Sequence, residues 1–115
     1  MLEPAEQFDD YIRAALDSLP LDLRSQLSNV DVVVEEEPPA GRPLLGLYQG
    51  VPLTERTSQY GGVLPDKITI FRGPLLRLYG RDPDVLRAQV RRVVLHEVAH
   101  HFGISDERLI EIDRY

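Results

Sequence analysis

Positions 96 to 100 read His-Glu-Val-Ala-His. On a helix, residues four apart lie roughly 40° from each other and one turn above the other, so His96 and His100 share a face. Two imidazoles at that spacing can bind one zinc ion. Glu97 lies roughly 100° from His96, on the shoulder of that face. It is too far round to be a good ligand, but it is placed to take a proton from a water on the metal. The chain's three histidines all fall between positions 96 and 101, and it contains no cysteine. Thiolate zinc sites, iron-sulfur clusters, disulfide staples and a cysteine nucleophile are therefore excluded, and a metal must sit on His, Asp or Glu.

The surroundings of the pair are apolar: Val93, Val94, Leu95, Val98, Ala99 and Phe102 cover this half of the helix nearly all round, which predicts burial. Burying polar groups without partners costs on the order of 1 to 3 kcal/mol each, and more for a charge. A metal removes that cost. The alternative is a hydrogen-bonded core pair, with Glu97 matched to an arginine such as Arg92.

Past the second histidine the chain continues His-Phe-Gly-Ile-Ser-Asp. Gly103 can take the left-handed conformation that turns the backbone sharply back, which makes Asp106 the expected third ligand. Glu107 is its nearest competitor, Glu111 on a following helix is separated from His100 by only ten residues, a short span for a ligand there, and Asp106 could instead only favour that helix's N-terminus. His101 is roughly 100° from His100 and misses the ligand face. A structural or surface role is expected for it, with contact to the ligands as the alternative. Tyr48 and Tyr60 are candidate phenol donors to an oxyanion, or packing residues.

A long capped helix must carry the pair. Asp82 suits the N-cap, Pro83 the first helical position, Asp84 the positive end of the dipole, and Gly103 the stop, predicting a helix from about Pro83 to Phe102. Upstream, Phe8, Tyr11, Ile12, Ala15, Leu16 and Leu19 recur at helical spacing until Pro20, with a short helical turn expected over 21–28. Val30 to Glu37, Leu44 to Gln49 and Lys67 to Arg72 read as strands, stopped by Pro38-Pro39, Gly50 and Gly73-Pro74. Leu75 to Tyr79 suggests a turn of helix, and a last helix should start at Ser105. The expected fold is α+β (α/β-like): a mixed sheet of three to four strands packed on an N-terminal helix and the histidine-bearing helix.

The segment from His96 to Asp106 resembles the long zincin motif HExxHxxGxxH in its Asp form, as in the snapalysin type. With the segments 32–39, 44–50, 67–72 and 96–109 taken together, the chain resembles the minimal-zincin family. These are small bacterial proteins described as predicted zinc proteases with a matrix-metalloprotease-like domain. The resemblance implies Zn²⁺ on His96, His100 and Asp106, with Glu97 as general base and a peptide or unfolded protein as substrate. Two features depart from larger zincins. Met1 is the sole methionine, so the methionine turn of metzincins is missing, and nine residues follow Asp106, too few for a sizeable lower wall. Substrate binding is then expected along a sheet edge, with Leu44 to Gln49 as that edge and Ile68 to Phe71 as an inner strand. The alternative is a non-catalytic zinc-binding module whose missing wall is completed by a partner protein.

The 115 residues fit one domain, 1–115. Net charge is −6, distributed as −8 over 1–41, +5 over 42–96 and −3 over 97–115. Without a Lys/Arg tract this argues against nucleic-acid binding. There is no apolar run of membrane-spanning length and no basic-then-apolar leader, so no membrane association and a cytoplasmic location are expected.

Overall fold

In a computed structural model, residues 4–27, 29–50 and 66–103 are described. The elements in chain order are α1 (Pro4–Asp17), α2 (Leu21–Ser25), β1 (Val30–Glu35), β2 (Gly46–Gln49), β3 (Asp66–Phe71), α3 (Arg72–Tyr79) and α4 (Pro83–His101). The expected last helix, Tyr60, Asp106, Glu107 and Glu111 lie outside the described residues.

The fold is α+β, with a three-stranded mixed sheet in the order β1-β3-β2. Strand β3 is central, parallel to β1 and antiparallel to β2. Its near-continuous burial suits a strand flanked on both sides, whereas β2 is half-buried and ends the sheet among the described residues. Leu44 to Gln49 was expected to form an edge, and the edge strand is Gly46–Gln49 within it.

One core joins the helices to the sheet. Phe8, Ile12 and Ala15 of α1 line up at helical spacing and are buried with Val90, Val94 and Val98 of α4 and Ile68 and Ile70 of β3. The apolar stripe read from the sequence is therefore the buried one. Its helix stops at Asp17, and Ser18 closes the end by donating its hydroxyl to the Ala15 carbonyl at 2.6 Å before Pro20.

Helix α3 and strand β1 depart from the sequence reading in ways that bear on how the sheet joins the helices. Helix α3 begins at Arg72, directly after the strand, because Pro74 falls in the first helical turn, where an amide proton would have no intrahelical acceptor. Strand β1 ends at Glu35, before the expected Glu37. The Gly73 amide donates to the Glu36 carbonyl at 2.8 Å, Arg72 pairs with Glu36, and Arg77 forks onto Glu37 at 2.6 and 3.0 Å. That guanidinium holds the Glu37 carboxyl below the usual carboxylate range. Among the described residues no helix is long and apolar enough to cross a membrane.

Candidate metal centre

Helix α4 is fixed at both ends by its own sequence. The Asp82 carboxylate accepts from the amides of Asp84 at 3.0 Å and Val85 at 3.4 Å, and Pro83 occupies the first turn. At the other end Gly103 sits at φ +80°, and its amide donates to the His100 carbonyl at 3.0 Å. The helix ends at His101, one residue short of the expected Phe102.

Between these ends, Val90, Val94 and Val98 face the core and His96, Glu97 and His100 face a cavity of about 620 Å³. The two imidazole centroids are 4.6 Å apart at 68°. One ligand atom from each of His96, Glu97 and His100 can be chosen so that all three lie within 4.8 Å of one another. Both histidines are half-buried, while Glu97 is only 6% exposed, with Oε1 3.2 Å from His100 Nδ1. Two imidazoles beside a carboxylate, open to a cavity, are a donor set that fits zinc. The Glu97 partner described is His100 rather than Arg92, which lines the same cavity.

A family model for zincin-like metallopeptidases matches residues 27–115. The chain belongs to that family. No curated protein matches it at a significant level. Membership in the zincin-like family implies zinc, and the His96–Glu97–His100 group is where this chain could hold it.

The opposite wall of the zincin cleft is β2 with the residues leading into it, Leu44, Leu45, Gly46, Leu47 and Tyr48. The strand approaches α4 closely at Gly46: a Cβ there would lie 2.7 Å from Val93 Cγ1 and 3.1 Å from Glu97 Cγ. Tyr48 lines the cavity too, but its hydroxyl donates to the Asp66 carboxylate at 2.7 Å. Its proton is thus committed to an acid on β3. His101 turns away from the histidine pair into the interior, 2% exposed, with Nδ1 2.7 Å from the same Asp66 oxygen.

Asp66 was missed by sequence reasoning, which left it just ahead of the third strand. It begins β3 and is 1% exposed. The available signal was the pair of glycines Gly46 and Gly50 on one edge segment, both of which remove a side chain where another group must come close: a Cβ on Gly50 would lie 2.4 Å from Asp66 Oδ1.

Proposed function

We propose that this chain is a zinc-dependent metallopeptidase of minimal size. The observation that carries the reading is the convergence of His96, Glu97 and His100 on one wall of a cavity whose other wall is a sheet edge. His96 and His100 would hold the zinc ion, with Asp106 as the third ligand. When bound, zinc supplies Lewis-acid polarisation of a substrate carbonyl and lowers the pKa of water.

The remaining work falls to the chain. Glu97 takes the proton from the attacking water and delivers it to the leaving amine, and its burial keeps that proton transfer out of bulk solvent. Substrate peptide is oriented by β2. Phe71 donates its amide to the Leu45 carbonyl at 3.0 Å, so the alternation of an antiparallel pair directs the backbone groups of Leu45, Leu47 and Gln49 to β3. The backbone groups of Gly46 and Tyr48 then point outward, where an extended peptide can pair with them. Leu44, Leu45 and Val93 give the cleft an apolar lining for the substrate's side chains.

Glu97→Gln is the decisive variant. It should retain zinc in elemental analysis and lose peptide hydrolysis, whereas equal turnover by this variant would exclude Glu97 as the base. His96→Ala and Asp106→Ala should each lower the bound zinc. A protein partner seated on the same edge is the rival occupant. It would leave Glu97→Gln without effect on binding and the wild type without hydrolysis across a peptide library.

A further inference from the structure

Deep beside the cleft, three side chains from three elements meet. Asp66 at the start of β3 is 1% exposed, and its Oδ2 lies 2.7 Å from both the Tyr48 hydroxyl on β2 and His101 Nδ1 at the end of α4. A carboxylate only accepts, so both partners donate. His101 Nε2 is buried with no hydrogen-bond partner among the described residues. The ring is therefore hydrogen-bonded through Nδ1, with the Tyr48 and Phe102 rings packed edge-on against it. A buried carboxylate is an expensive way to fill space, since an apolar group of similar volume is often no less stable. The directional information it provides is what an apolar group would lack.

That direction falls on the end of the helix that carries the candidate metal centre. His100 and His101 occupy the last turn of α4, whose backbone is closed by the Phe102 amide on the Val98 carbonyl at 3.2 Å and the Gly103 amide on the His100 carbonyl. His101 adjoins His100 in sequence, so fixing the His101 ring fixes the rotation of that turn about the helix axis. Tyr48 carries the same anchor to the opposite wall of the cleft.

We propose that Asp66 is a positioning residue that clamps edge strand β2 to the end of α4, holding His100 in chelating geometry and setting the width of the cleft. The inference rests on the zinc reading given above. It assigns the orienting role to the Nδ1 donor of His101 and none to Nε2.

The test is Zn²⁺ affinity of the full chain, measured by competition with a chromophoric chelator well below the melting temperature of each apo variant. Asp66→Asn and His101→Leu should weaken zinc binding about ten-fold, the lower end of the effect of removing groups that orient metal ligands. His101→Asn places an amide N–H near the Nδ1 position and should restore affinity to within about three-fold of wild type. Phe8→Leu, a core change in α1 outside the hydrogen-bonded cluster, should lower the melting temperature and leave zinc affinity unaltered. Should Asp66→Asn fail to fold, the His101→Leu and His101→Asn pair decides alone. Equal zinc affinity in His101→Leu and wild type, or an equal loss in His101→Asn and His101→Leu, overturns the inference while the zinc reading stands. Wild-type protein that takes up no zinc overturns both.

Discussion

Replacing Gly46 with alanine tests whether the edge strand rests directly on the histidine-bearing helix. The added methyl would sit 2.7 Å from Val93 Cγ1, roughly 0.8 Å inside the distance at which carbon atoms begin to attract best. Val93 cannot readily swing aside. It is β-branched, confined to essentially one rotamer in a helix, and 8% exposed. The strand must shift, at an overpacking cost of about 1–3 kcal/mol, offset by the roughly 0.5–1 kcal/mol that alanine gains over glycine inside a strand. A net loss of about 1 kcal/mol is expected, equivalent to about 0.5 M in urea midpoint at a slope near 2 kcal/mol/M. Val93→Ala alone should cost about 1.5–3 kcal/mol through lost burial and the void it leaves. In the double variant the new methyl enters that void, so the two losses should fall short of their sum by about 1 kcal/mol. Chemical denaturation of the four proteins supplies the cycle. Additivity within about 0.3–0.5 kcal/mol would refute the close contact between β2 and α4, and with it the cleft geometry assigned to these walls.

Other expectations follow from separate parts of the molecule. Zinc at one hundred times its dissociation constant should stabilise the folded chain by about 2.7 kcal/mol, read as a rise in melting temperature that a chelator reverses and His96→Ala abolishes. Asp82→Ala removes the acceptor for the amides of Asp84 and Val85 and should cost about 1 kcal/mol in denaturation, with zinc affinity unchanged because the centre lies more than three turns away. The Glu37 carboxyl is lowered by its Arg77 partner, so this pair's contribution is present above the unfolded-state pKa and is lost as pH falls through the folded one. Arg77→Ala should therefore flatten stability against pH below about pH 4, where glutamates titrate, and the difference from wild type should shrink in high salt because the pair is solvent-exposed.

How far the site could be read in advance follows the distance over which each signal acts. Asp82, Pro83 and Gly103 bound α4 through contacts within a few residues, so its ends were legible to within one position. The spacing of His96 and His100 is likewise a local property, converted to a shared face by helix geometry alone. The sheet order was partly legible: the apolar run from Ile68 to Phe71 marks an inner strand, and the shorter Gly46–Gln49 an edge. The end of strand β1 was misjudged where long-range pairing decides. Glu36 and Glu37 leave β1 to meet Arg72 and Arg77, some forty residues on, and nothing in the Val-Val-Val-Glu-Glu-Glu run announces it.

Asp66 is the sharpest case of that limit. Read locally it is an acid preceding a strand, and acids there are ordinarily solvated. Its burial is explained by partners far along the chain, Tyr48 and His101, 18 and 35 residues away, and by Gly50, whose missing side chain leaves room for the carboxylate. Chemistry-bearing groups on one helix can thus be found from spacing, while the groups that orient them arise from three separate segments and become visible only once the chain is folded. The same division bears on activity. His96, Glu97 and His100 would persist in an isolated α4 as a sequence pattern, but such a helix lacks β2 as its facing wall and Asp66 as the anchor of its last turn. An isolated peptide spanning 83–103 should accordingly bind zinc far more weakly than the full chain, because the ordering of its terminal turn must then come from the metal itself.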